Sequence, residues 1–200
     1  KRKQKIITSV RAAKVHPKTK KDEIYVRVNS INWMKKLNMP DIAGVFLNFS
    51  RNEWKDFRPD VKFLQKNREK VIIELPRFIP EDAIDFYHAL LQNLYKHGYY
   101  RFSLSHLSQK EFFSEKATLI TNENVYTLND AAVDFLKQEG IQHFITPLEN
   151  ELENLKEMHY KDGIVPVYFH PAVFYSRMPV NVNEIISDRD ERFHLHVSTI

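Results

Sequence analysis

Polar side chains that could hold a ligand follow several of the strands that the sequence predicts. Arg77 lies on a short segment between Pro76 and Pro80, where a guanidinium group could bind an anion at little cost in ordering entropy. His170 could act as a general acid or base, or could be an ordinary residue at the rim of the fold. The remaining candidates are His106, Asn129, Glu149 and Arg177. Imidazole, carboxylate and guanidinium groups at strand ends predict a site for an anionic or polar ligand.

Helix capping is the competing interpretation for three of the polar residues at strand ends. Ser50 and Asn129 stand where helices are predicted to start, and their side chains could satisfy free backbone N–H groups there. Glu149 would complement the helix dipole if it lies in a first turn. Both interpretations remain open for these residues at this point.

Several kinds of chemistry are excluded by residue type. The chain contains no Cys, so it can form no disulfide, thiolate nucleophile, Cys-ligated zinc site or iron–sulfur cluster of its own. It also lacks the His-Glu-x-x-His and Gly-x-Ser-x-Gly motifs of hydrolases. His194 and His196 alternate on a predicted strand, but no third ligand converges with them. We therefore expect no cofactor and no metal in this chain, and the sequence names no catalytic residue.

Basic residues are concentrated at the start of the chain. Residues 1–21 hold nine of the 30 Lys and Arg residues and no acid, so the rest carries 21 basic against 26 acidic side chains. The nine are Lys1, Arg2, Lys3, Lys5, Arg11, Lys14, Lys18, Lys20 and Lys21. Such a segment predicts either salt-dependent binding of RNA or a solvated linker. RNA binding that survived its removal would instead point to the rim near Arg77 and Arg177.

The elements that must position these residues alternate between strand and helix. The predicted strands are Glu23–Asn29, Ala43–Phe49, Val71–Leu75, Tyr99–Ser105, Ala117–Thr121, His143–Pro147, Ile164–Phe169 and Phe193–Ser198. Helical crossovers make such strands parallel. The pattern predicts an α/β fold: a compact (β/α)8, TIM-like barrel over residues 22–200, incomplete in its last helix, with residues 1–21 as an extension or linker.

Apolar spacing predicts which faces of the helices are buried. The strongest pattern includes Phe86 and Leu90 and ends before Gly98. In the helix after Asn129, a face of Ala132, Phe135 and Leu136 is predicted, with Gly140 as the stop. The following helix should present a stripe of Leu148, Leu152, Leu155 and Met158, with Gly163 closing the turn.

Several segments resemble the U32 peptidase family of collagenase-like proteases, over roughly residues 24–198. They are Leu75-Pro76-Arg77, Asn129-Asp130-Ala131-Ala132, Thr146-Pro147-Leu148-Glu149-Asn150, Val167-Tyr168-Phe169-His170, Tyr175-Ser176-Arg177 and the segment around Asp188-Arg189. The resemblance implies the C-terminal barrel portion of such a protein. Family members with a working centre carry Cys after the Ser-Arg element, for an iron–sulfur cluster. Here Met178-Pro179 stands in that place.

The resemblance implies one of two functions. The first is a non-catalytic or accessory barrel that binds RNA or supports a catalytic barrel elsewhere in a larger protein. The alternative is the catalytic part of a U32 enzyme, acting as a peptidase or in hydroxylation of tRNA or rRNA bases. The start at Lys1 leads us to expect a piece of a longer protein. We expect a cytoplasmic location, and no apolar run is long enough to enter a membrane.

The missing Cys residues generate the first prediction. The purified chain should show no iron–sulfur absorbance and should not cleave gelatin or casein, because it has neither cluster ligands nor a motif that pairs a nucleophile with a base. Absorbance spectra and gel assays measure both properties. Inhibitor-sensitive cleavage that Arg77→Ala or His170→Ala abolishes would contradict this expectation.

Overall fold

Six short strands form the centre of the computed structural model, which describes residues 23–169 and 184–194. They are β1 (Tyr25–Val28), β2 (Gly44–Leu47), β3 (Val71–Glu74), β4 (Arg101–Leu104), β5 (Thr118–Thr121) and β6 (His143–Phe144). The strands are rich in β-branched and aromatic residues, which favour extended backbone. Every neighbouring pair is parallel, and the order in the sheet follows the order in the chain.

Helical segments connect the strands. They are α1 (Ile31–Lys35), α2 (Arg51–Asp56), α3 (Lys62–Lys66), α4 (Ile84–Lys96), α5 (Asp130–Gln138) and α6 (Leu152–Glu157). Ser50 and Glu53 form the capping box that starts α2, and α3 begins only after Pro59 has interrupted the helical path. Within the described ranges, no helix combines the length and the apolar character needed to cross a bilayer.

The sheet is a curled half barrel with different side chains on its two faces. When consecutive parallel strands are neighbours, right-handed crossovers place all helices on the same face. Side chains such as Leu47, Ile73 and Leu104 belong to the large core that includes the helices. The residues that alternate with them, including Phe46 and Ile72, belong to a second and smaller cluster. This smaller cluster lines the concave face.

The six predicted strands between Glu23 and Pro147 are confirmed, but the last two differ from an eight-stranded parallel barrel. Ile164 forms a single parallel bridge to Ile145, and residues 165–169 form no strand. The strand predicted to start at Phe193 is β8 (Arg192–His194), which pairs antiparallel with β7 (Glu184–Ile186). The turn between them spans only a few residues, whereas a parallel pair needs a crossover of a dozen or more. Residues 195–198 lie outside the described part.

Gly140 and Gly163 are required for different reasons. Gly140 has a φ of +81°, which confirms its predicted role as a left-handed stop. Gly163 was expected to close the turn after the next helix. Among the described glycines, positive φ is found at Gly98 and Gly140, so Gly163 does not adopt the left-handed conformation. A Cβ at Gly163 would lie 2.4 Å from the ring of Phe144. Gly163 is therefore needed for close packing against β6.

The predicted faces of two helices are wrong in part. In α5, Val133 and Leu136 are buried, while the side chain of Phe135 is 48% exposed. Apolar residues surround so much of this short helix that periodicity alone does not decide which of them meets the sheet. In the stripe predicted for the next helix, Met158 is buried but lies just after the end of α6, and Leu152 is exposed.

The strongest predicted helix generates the second prediction. Leu90 on α4 is buried as expected, so Leu90→Ala should lower the free energy of unfolding by about 2–5 kcal/mol through lost burial and a residual cavity. Leu152→Ala on α6 is the matched control and should cost less than about 1 kcal/mol, because its side chain is exposed. Urea denaturation measures both values. Equal denaturation midpoints for the two variants would mean that the buried face of α4 is misassigned.

Candidate functional site

An ion-pair network lies at the carboxyl ends of the parallel strands. Arg27 on β1 places its Nε 2.8 Å from Oε2 of Glu74, the last residue of β3. Its Nη1 and Nη2 donate to Oε1 and Oε2 of Glu123, just after β5, at 2.9 and 2.7 Å. The side chain of Glu74 is only 3% exposed, whereas that of Arg27 is 35% exposed. The network therefore reaches from the interior to the surface.

Strand register explains how residues distant in sequence meet. Arg27 is aligned with Phe46 on β2, so both project onto the concave face. In a flat sheet β1 and β5 would be about 19 Å apart, four strand spacings, which is farther than one arginine and one glutamate span. The contact between Arg27 and Glu123 therefore depends on the curl of the sheet. Three sequence-distant groups converge because the sheet bends around them.

Neutral polar side chains hold the network in place. Asn122 donates through Nδ2 to Oε1 of Glu74 at 3.0 Å and to Oγ of Ser105 at 2.6 Å. The backbone N–H of Ser105 donates to Oε1 of Gln109 at 2.8 Å, and Nε2 of Gln109 donates to the carbonyl of Pro76 at 2.7 Å. The loops after β3, β4 and β5 are thus connected by side-chain hydrogen bonds.

Electrostatics favour the charged form of both Arg27 and Glu123. Burial opposes the charge on Arg27, but the carboxylates of Glu74 and Glu123 outweigh it and raise the pKa of Arg27 above its usual value. Burial alone would raise the pKa of Glu123, yet hydrogen bonds and charge from Arg27, with a smaller contribution from Arg77, lower it. Glu123 therefore stabilises the fold above the usual glutamate pKa. That contribution is lost as the pH falls through the lowered pKa.

The chain matches no protein-family model, no curated protein and no solved structure. The resemblance to U32 peptidases therefore remains a prediction.

The predicted site residues are found in different places. Arg77 follows β3 and contributes positive charge near Glu123. His106 is exposed and accepts a hydrogen bond from the backbone N–H of Ser108 at 3.2 Å. Asn129 caps α5 by accepting from the N–H of Ala132 at 2.9 Å. The candidates His170 and Arg177 and the nine basic residues of positions 1–21 lie outside the described residues.

Glu149 does not occupy the first turn that the capping interpretation assigned to it. It is exposed and precedes α6, which begins at Leu152 after the N-cap residue Glu151, so Glu153 is the acid of that first turn. Neither Glu149 nor His106 belongs to the hydrogen-bonded network around Arg27. The strand-end residues Ser105 and Asn122 do belong to it.

Sequence reasoning missed the three charged residues of the network. Arg27 and Glu74 fell inside the predicted strands Glu23–Asn29 and Val71–Leu75 and were not among the candidate site residues. The available signal was a charge within a strand whose neighbours on both faces are apolar, as in Val71-Ile72-Ile73-Glu74. A charge buried in this way needs a partner, and its partner has to come from another strand.

Two other features of the described residues bear on binding. Within residues 23–169 and 184–194, no group of three or more His, Asp or Glu side chains is arranged to hold a metal ion. A largely apolar groove of about 330 Å³ is lined by residues of α1, α2 and α3, including Phe49, Phe57 and Phe63. It contains none of the predicted ligand-binding residues.

The geometry is suited to binding an oxyanion. A guanidinium group held at Nε by a buried carboxylate presents its two Nη groups as a planar fork, which matches carboxylate or phosphate oxygens. Glu123 occupies this fork in the structure. Pairing with Arg27 lowers the pKa of Glu123 and so makes it a weaker base, while Glu74 is buried at the end of β3.

The third prediction concerns the stability of the network. Arg27→Met should lower the free energy of unfolding by about 3–5 kcal/mol, because it leaves Glu74 buried without its counter-charge. Arg51→Met is the control. Arg51 pairs with Asp82, 75% exposed, at 3.4 Å, so its loss should cost at most about 1 kcal/mol. Denaturant unfolding of both variants provides the comparison, and equal losses would argue against a buried ion-pair network.

Proposed function

We propose that this chain is a non-catalytic, accessory β/α barrel of the U32 type that binds single-stranded RNA. The observation that carries this proposal is the guanidinium fork of Arg27, which holds the Glu123 carboxylate with both Nη groups at the carboxyl edge of the sheet. The positive charge of Arg77 acts on the same carboxylate and helps to lower its pKa. Parallel β/α barrels bind their ligands at this edge. Guanidinium groups there are suited to phosphate oxygens.

Exposed aromatic rings on the same loops support a nucleic acid as the ligand. Phe78 directly follows Arg77 and is 48% exposed, and Tyr126, three residues after Glu123, is 62% exposed. Single-stranded nucleic acids are commonly bound by cations that contact phosphates and by aromatic rings on which bases stack. The nine basic residues of positions 1–21 would add contacts to further phosphates.

The accessory role is supported by the pairing of Glu74 and Glu123 with Arg27. A general base must accept a proton, and the lowered pKa of Glu123 beside Arg27 makes this carboxylate a weaker base. Glu74 is only 3% exposed, which shields it from a substrate. We further propose that the half barrel is part of an eight-stranded barrel. The bridge from Ile145 to Ile164 supports a seventh strand position beside β6.

A second candidate function is support of a catalytic barrel in the same protein. It is favoured by the exposed apolar residues Val165 and Val167, which are 47% and 91% exposed next to the bridge at Ile164. Exposed apolar side chains of this kind are typical of contact surfaces between domains. This function predicts no affinity for RNA, so the same experiment separates the two candidates.

The fourth prediction tests RNA binding through its salt dependence. The full chain should bind a short labelled single-stranded RNA with log K falling against log[salt] by roughly 0.7 per phosphate contact. Changing the nine basic residues of positions 1–21 to Gln should leave a slope of about −1.4, from phosphate contacts of Arg27 and Arg77 at the carboxyl edge of the sheet. Adding Arg77→Ala should halve the remaining slope. Fluorescence anisotropy at several salt concentrations measures each slope.

The control is Arg58→Ala in the same charge-neutralised chain. Arg58 is an exposed arginine between α2 and α3, so its removal changes the net charge equally but should leave the slope unchanged. Complete loss of binding when the basic segment is neutralised would mean that the rim does not bind RNA. No binding by the full chain at low salt would favour the supporting role.

A further inference from the structure

Glu123 occupies the position on Arg27 that an oxyanion ligand would need. Its two carboxylate oxygens accept from the two Nη groups of Arg27, at 2.9 and 2.7 Å. The remaining polar atom of the guanidinium group, Nε, faces Glu74 at 2.8 Å. Glu74 is buried at the end of β3 and fixes the orientation of Arg27, whereas Glu123 lies on a loop.

A phosphate group could take the place of the Glu123 carboxylate on the fork of Arg27. Carboxylate and phosphate oxygens fit the same planar fork of N–H donors. A phosphodiester carries one negative charge, as the Glu123 carboxylate does, so the charge in contact with the fork would stay the same after the exchange. Arg77, on the loop after β3, acts on the same carboxylate through its positive charge, which helps to lower the pKa of Glu123.

The loop that carries Glu123 can release its side chain while its neighbour stays bound. Asn122 is 1% exposed and holds Glu74 and Ser105 through its side chain. Its Oδ1 accepts from the N–H of Asn124 at 3.0 Å, which fixes the backbone of the turn. The exchange therefore requires rotation of one glutamate side chain, with the strand ends left intact.

From these contacts we infer that Arg27 and Arg77 form a phosphate subsite that Glu123 covers when no ligand is bound. Glu123 acts as an internal competitor, so a phosphate group binds only in the fraction of molecules in which the carboxylate has left. This lowers the apparent affinity by that fraction. The inference deepens the proposed RNA-binding function and rests on it for the source of the phosphate.

Glu123→Gln tests the inference because it keeps the side-chain shape and removes the competing charge. The variant should bind inorganic phosphate, and a short single-stranded RNA, about tenfold more tightly than the unaltered full chain at constant ionic strength. Glu115→Gln is the matched control. Glu115 is exposed before the amino end of β5, so this variant has the same net charge but should keep the original affinity.

A measurement on the unaltered chain tests the same inference even if the Glu123→Gln variant does not fold. If phosphate displaces Glu123, its carboxyl carbon signal and the guanidinium nitrogen signals of Arg27 should move together in an NMR titration with phosphate. Movement of the Arg27 signals without those of Glu123 would overturn the displacement. Equal affinities of Glu123→Gln and Glu115→Gln would overturn it as well.

The two ligands separate this inference from the proposed function. Tighter phosphate binding by Glu123→Gln, without RNA binding by any chain, would support a covered subsite for free phosphate and would reject RNA as the ligand. RNA binding that Glu123→Gln leaves unchanged would support the proposed function and reject the covering role of Glu123.

Discussion

The buried carboxylate of Glu74 constrains the rest of this structure. An unpaired charge at that depth would be very unfavourable, and its counter-charge comes from Arg27, two strands away. Arg27 in turn binds Glu123, beyond β5. The contact with Glu123 forms only if the sheet curls, so this ion pair and the half-barrel shape depend on each other. The apolar residues of the concave face can pack under the network only in the same curled arrangement.

The same constraint links stability to the binding that we propose at the carboxyl edge. Groups that neutralise one another stabilise the fold, but they also occupy positions that a ligand would use. Glu74 serves mainly the fold, because its two oxygens face Arg27 and Asn122 inside the sheet. In our proposal Glu123 serves both purposes, since it lies on the loop after β5 and holds Arg27 through its side chain. With one carboxylate fixed in the fold and a second one that can move away, a binding site can remain charged and still be stable without its ligand.

Predictability differed between local and long-range features. Capping boxes, glycine stops and strand patterns depend on neighbouring residues, and the capping pair Ser50 and Glu53 was found as expected. The buried face of α5 was misjudged because Phe135 and Val133 are equally apolar, and only packing against the sheet selects between them. The pairing of β8 with β7 was missed because it depends on a turn formed by polar residues around Ser187.

The sequence by itself determined the alternation of strands and helices, the parallel sheet and the positions of Ser105, Asn122 and Arg77 at strand ends, because each follows from local pattern and chain order. Only the tertiary structure decided that Arg27, Glu74 and Glu123 meet, since 96 positions separate Arg27 from Glu123. The physical reason is that charge pairing across a sheet depends on its curvature. Curvature arises from the packing of all the strands together and leaves no periodic signal in the sequence.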